Sequence, residues 1–274
     1  MTGSKVGIFS AAVLAVLGSL SGGAAARNTP AENSVEAVLE RIQARDCKGA
    51  VDALKAGLSN NHPEVALLAG SMYDNGICVR RDWQRAATFY ILADQGGQKA
   101  AVQRLIAGYA APENGPDTAA ALWWASREGP PAAPCGVSAK AAQDPDLFVA
   151  ELGTWPQQRL AQCNYVAGVM ATMAGELRYP DRPFDFSMGG EVEVRFLPAV
   201  PRVDLKIGAS TEHRPLGFID GDALVHGRSK ASKNQFGDEV RKVADRALKR
   251  YPQPPGIDPD TSASMRLIFT ITSR

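Results

Sequence analysis

The chain has 274 residues, 45% hydrophobic and 22% charged, a globular balance that excludes a disordered or fibrous protein. Lys+Arg 30 against Asp+Glu 29 leaves a formal net charge of +1, so no general pull toward nucleic acid or anionic lipid is expected. Only His62, His213 and His226 are present, too few for a multi-histidine centre, and neither metal nor cofactor is expected.

Residues 1–26 carry one charge, Lys5, followed by an apolar run over 6–20 and the small residues Ala24, Ala25 and Ala26. This is the pattern of a secretory signal, with cleavage expected before Arg27 and a periplasmic destination. An uncleaved inner-membrane anchor is the alternative, because 6–26 reaches the ~20 residues that span a bilayer, and membrane contact is expected only in that case. Export changes the reading of Cys47, Cys78, Cys135 and Cys163, since an even count in an oxidising compartment implies disulfides, with three pairings open. No CxxC pair or histidine at ligand spacing accompanies them, so a zinc site is not expected.

From residue 34 to about 127 the chain reads as successive helices broken by Gly, Pro and Asn. Ser34 is expected to cap the first, running to Arg45. The others are expected over 47–58, from Pro63 to Tyr73, from Asp82 to Gly96, over 99–109 and over 117–127. The last four repeat. Val65, Ala69 and Tyr73 recur as Ala101, Leu105 and Tyr109, and Asp82, Ala86 and Phe89 recur as Asp117, Ala121 and Trp124. Such a period signals stacked helical hairpins, in which small residues allow close approach and aromatics fill the groove to the next pair.

The run Ala69-Gly70, Tyr73, Gly76, Cys78-Val79, Asp82, Ala86, Phe89-Tyr90, Ala93 and Gly96 resembles a Sel-one-like repeat, a relative of the tetratricopeptide repeat. Cys78 stands where that pattern has Gly, and the second copy carries Ile106 and Pro116 off-pattern. The resemblance implies a right-handed α-solenoid used as a protein–protein scaffold without catalysis. In such a layout Cys47, starting the second helix, and Cys78, following the third, lie at one edge of the array. A Cys47–Cys78 bond is therefore expected, with Cys135–Cys163 by elimination.

The Pro-rich stretch 129–134 is a linker candidate. A short helix is expected over 144–152, and a longer one opening at Pro156, with Leu160, Cys163, Val166, Ala167, Met170 and Ala174 in one apolar stripe. It is read as the cap of the array. After Pro180 the pattern turns to strands at 191–196 and 203–207, a helix with Phe236, Val240, Val243, Ala244, Ala247, Leu248 and Tyr251 on one face, and a strand over 265–272. The expected fold is thus mainly α plus α+β: signal 1–26, helical repeats 27–130, loop and capping helices 131–175, and an α+β domain 176–274.

The order of that last region, with Tyr179-Pro180, Gly190 to Phe196, Ala247-Leu248, Tyr251-Pro252, Pro254-Pro255 and the closing strand, resembles the C-terminal domain of TonB-type proteins. The resemblance implies a ββαβ unit that captures extended receptor segments. The long Pro-rich spacer of an energy transducer is missing, and residues 210–236 are longer than that family's turn. Its last strand, with Leu267, Ile268, Phe269, Thr270 and Ile271, is expected to be an exposed edge that pairs with a peptide. Two further expectations are that a fragment 176–274 folds alone, and that proline at Ile268 or Thr270, whichever N–H faces outward, blocks pairing.

Catalytic candidates are few. Ser210, His213 and Asp220 form no recognisable triad motif, and Gly189-Gly190 is not followed by a phosphate-loop lysine. Of the cations Arg228, Lys230, Lys233, Arg241, Lys242, Arg246, Lys249 and Arg250, most are read as a solvated helix face, with anionic envelope partners as the alternative. The sequence therefore points to an exported, non-enzymatic scaffold with an unidentified protein partner in the periplasm or outer membrane, and no nucleic acid. Its alternatives are a membrane-anchored TonB-like transducer and a small exported cell-wall hydrolase built on His213 and His226.

Overall fold

The computed structural model describes residues 8–16, 29–129, 134–180, 188–212 and 229–272. Its first part is a run of antiparallel helices: α1 (Pro30–Gln43), α2 (Cys47–Ser59), α3 (Pro63–Asn75), α4 (Trp83–Gln95), α5 (Ala100–Ala110) and α6 (Thr118–Arg127). The helix starts follow the chemistry of capping. Asp46, Asp82 and Asp117 each accept the backbone N–H three residues on, tying down an otherwise orphaned donor. α1 begins earlier than expected. Thr29 and Glu32 form a reciprocal capping box, while the Ser34 hydroxyl turns back to donate to the Pro30 carbonyl.

The repeat has a physical counterpart in the loops. Asp82 N–H donates to Tyr73 O at 3.0 Å, and Asp117 N–H donates to Tyr109 O at 2.8 Å, so each hairpin closes with the same bond despite the one-residue deletion. Ala69, Ala86, Leu105 and Ala121 are fully buried. Tyr73 stacks on Phe89 at 5.6 Å, and Trp83 meets Tyr109 edge-on at 5.2 Å. Small residues set the spacing. A Cβ at Gly70 would lie 2.5 Å from the Tyr90 ring, and one at Gly108 would collide with Trp83.

Both disulfides form in the expected pairing, Cys47–Cys78 and Cys135–Cys163, and all four cysteines are used. Cys78 has a φ of 59°, the left-handed region that ordinarily favours glycine. The second bond ties residues 134–137 to α8 (Gln157–Gly175), where Arg159 donates to the Pro134 and Gly136 carbonyls and lies over the Trp155 ring. α7 (Pro145–Leu152) packs beneath, burying Phe148 and Leu152 with Leu122 and Trp155. Residues 130–133 of the Pro-rich stretch lie outside the described residues.

The C-terminal part is α+β. β2 (Met188–Leu197) and β3 (Arg202–Glu212) form an antiparallel hairpin with an irregularity between Gly190 and Val192. α9 (Ser229–Arg250) crosses one face, and β4 (Ala263–Thr272) returns antiparallel to β2. Residues 8–16 form β1 (Ile8–Val16), which pairs parallel to β4 and gives the order β1-β4-β2-β3. The strands alternate as written: Val192, Val194, Phe196, Met265, Leu267 and Phe269 are buried, facing α8 and α9. On the other face Glu193 binds Lys206 at 3.0 Å and Arg266 at 3.4 Å, and Arg266 also reaches Glu191 at 3.1 Å. The hydrogen bond and charge of Lys206 come first, with Arg266 behind, in holding the exposed Glu193 carboxyl below its usual range.

α8 does more than cap the helices. One continuous core holds Ala110, Ala121, Tyr165, Val169 and Met173 from the helical part together with Phe196, Val243, Ala247 and Leu267 from the sheet and α9. The two parts are fused across the expected 175/176 boundary. Tyr251 is the clearest link. Its ring sits against Gly168, where a Cβ would lie 2.5 Å away, and its hydroxyl donates to the Ala107 carbonyl at 2.8 Å. Because the tyrosine proton is spent there, Thr172 donates to the same oxygen at 3.0 Å. The cations of α9 are not all solvated either, since Arg246 and Arg250 cross the seam to Glu176 and Glu113.

Candidate functional site

The five residues expected to form a peptide-binding edge, Leu267, Ile268, Phe269, Thr270 and Ile271, all lie in β4. In the full chain this strand is not an open edge. β2 pairs with one side, and β1 covers the other over nine residues, from Ile8 opposite Ser264 to Val16 opposite Thr272. The correction has a simple cause: a strand edge is a row of unpaired N–H and C=O groups, and an extended apolar segment of the same chain satisfies it. That segment, IFSAAVLAV, carries no charge and belongs to the expected leader. Residues 213–228, within the long connection between β3 and α9, lie outside the described residues.

The register also decides which β4 groups face outward. β3 and β4 are parallel and joined through α9, and such a connection is right-handed in about 98% of cases. With α9 toward the viewer, β4 then lies to the right of β2, and β1 to the right of β4. For L-residues in an upward strand, a side chain toward the viewer sends its own N–H and C=O to the right. Met265, Leu267, Phe269 and Ile271 therefore offer their backbone groups to β1, whereas Arg266, Ile268 and Thr270 offer theirs to β2. Proline at Ile268 or Thr270 would cut the sheet internally instead of blocking its outer side.

Ser210 lies in β3, while His213, Asp220 and His226 lie outside the described residues. Among the described residues no group of three or more His, Cys, Asp or Glu is placed to hold a metal ion, and no helix is long and apolar enough to cross a membrane.

A feature not expected from the sequence is a polar cavity of about 460 Å³ at the seam of the two parts. α3 contributes Asp74, α5 Arg104, α8 Thr172, and α9 Arg246 and Arg250. Burial dominates in raising the Asp74 pKa above the usual carboxylate value, although Arg250, Arg104 and Arg81 oppose it. Asp74 accepts from the Tyr90 hydroxyl at 3.4 Å, and burial likewise pushes the Tyr90 pKa upward. Nothing in the linear pattern marks this cavity, because its walls come from four separate helices.

No protein-family model matches the chain, no curated protein matches it significantly in sequence, and no solved structure matches it significantly in fold.

Proposed function

We propose that the chain is a non-enzymatic interaction protein of an oxidising, exported compartment that takes up an extended segment of a partner protein along the outer side of β4. The carrying observation is β1: nine uncharged residues of the chain itself lie on that side in unbroken parallel register. If the segment is removed with a cleaved leader, Met265, Leu267 and Phe269 are left with backbone groups to pair, and a partner strand of similar chemistry supplies them. The partner segment is extended, apolar and rich in small residues, as β1 is. Two disulfides suit the compartment. The hairpin array and the β-β-α-β order are what the Sel-one-like and TonB-type resemblances imply, and both support binding over catalysis.

The test is a chain beginning at Arg27, titrated into a labelled, Lys-flanked peptide of residues 8–16 and followed by fluorescence anisotropy. Saturable binding is expected, with loss of binding when alternate peptide nitrogens are methylated. The full chain should bind more weakly, because its own segment competes at an effective concentration of the order of mM. No binding by the shortened chain, or equal binding of the methylated peptide, overturns the proposal.

A further inference from the structure

The seam cavity has a charge pattern that its own ion pairs do not complete. Arg250 is held by Glu113 at 2.8 Å and by Glu176 at 3.5 Å, and Arg246 shares Glu176 at 3.4 Å. Those two carboxylates are spent on those two guanidinium groups. Two more arginines face the same space. Arg81 donates to the Asp74 carbonyl and to the Asn114 side chain, both uncharged acceptors. Arg104, half-buried on α5, has no carboxylate within 4 Å among the described residues. Opposing them is one carboxyl, Asp74, already hydrogen-bonded to Tyr90.

We propose that this cavity binds a small oxyanion, a carboxylate or a phosphate group, with Arg104 as the principal ligand and Arg81 and Arg246 beside it. A planar guanidinium presents paired N–H donors that match such groups bidentately, and a half-buried one with no carboxylate in contact gains most from them. The volume lies within the ~300–1,000 Å³ typical of small-molecule sites. Arg81 and Arg104 come from the helical array and Arg246 from α9, so the anion would bridge the two parts of the molecule. This site is independent of the β4 edge, which lies on another element and uses backbone groups.

Thermal unfolding of the full chain in rising inorganic phosphate, and separately in rising succinate, tests the idea, with ionic strength held constant by chloride. A saturable rise in Tm with at least one anion is expected, because a ligand that binds only the folded state stabilises it by mass action. The anion that acts identifies the headgroup. Arg104→Met should lower apparent affinity at least tenfold, and Arg104→Lys, which keeps the charge but not the fork, should fall between. Arg41→Met, on the exposed face of α1, should respond like the parent. The proposal is overturned if neither anion gives a saturable rise, or if the Arg104 and Arg41 variants respond alike. Should Arg104→Met not fold, Arg104→Lys decides: affinity equal to the parent's overturns the assignment.

Discussion

Tyr251→Phe removes one oxygen and leaves the ring against Gly168, so it isolates the polar part of the link between the two halves. The last carbonyls of α5 lack the usual bond from four residues on and find other donors: Ala107 the Tyr251 hydroxyl, Gly108 the Ala111 N–H and the Asn114 side chain, Tyr109 the Asp117 N–H, and Ala110 the Asn164 side chain. Removing the Tyr251 hydroxyl orphans the Ala107 carbonyl in a buried position. A buried polar group without a partner costs about 1–3 kcal/mol. The Thr172 hydroxyl also loses its acceptor, but it can turn to a carbonyl one helical turn back. The expected loss is about 2 kcal/mol in urea unfolding, seen as a lower midpoint with an unchanged m-value, because one core spans both halves and they unfold together. Thr172→Val in a double-mutant cycle should show coupling with it. A loss below about 0.5 kcal/mol, or a changed m-value with two transitions, would refute the reasoning on this link.

The Cys47–Cys78 bond closes a separation of 31 residues, so removing it should cost about 4 kcal/mol on the loop-entropy estimate, and Cys47→Ser with Cys78→Gly should be about 1 kcal/mol more stable than Cys47→Ser with Cys78→Ser, because only glycine is unstrained at that φ; equal midpoints would contradict this. The raised Asp74 pKa means that the folded state binds a proton more readily than the unfolded chain, so this group favours folding more as pH falls from the folded pKa toward 3.8. Asp74→Asn should flatten that part of the stability–pH curve and destabilise little or not at all at pH 7; a marked loss at pH 7 would show that the ionised carboxylate is needed. A fragment 176–274 should lack fixed near-ultraviolet circular dichroism, because its apolar face is left without Tyr165, Val169 and Met173, and a native-like spectrum would contradict the shared core.

Much of the architecture was legible in local chemistry. Asp82 and Asp117 announce helix starts, Val192/Val194/Phe196 announce the inward face of a strand, and Cys47 and Cys78 fall together once the helices alternate in direction. The start of α1 is written in the sequence as well, since Thr29 and Glu32 have capping-box spacing, but Ser34 is of an equally good capping type and competes with it. The fused core was hidden because the α8 stripe facing the sheet has the same spacing as one that merely caps an array. The arginine cavity was hidden for a related reason, as its cations sit on three elements and their carboxylate partners on others. The pairing of β1 depends on a three-dimensional vacancy beside β4, which no alternation pattern within residues 8–16 announces.

The central claim is tested most directly by amide hydrogen exchange at β4 in a chain beginning at Arg27, with and without the Lys-flanked peptide of residues 8–16. The account predicts fast exchange at Met265, Leu267 and Phe269 without peptide, slow exchange with it, and slow exchange at Arg266 and Ile268 in both states, because the N–H groups of those two point to β2. Slow exchange at Leu267 and Phe269 before any peptide is added, or no change on adding it, would contradict the account.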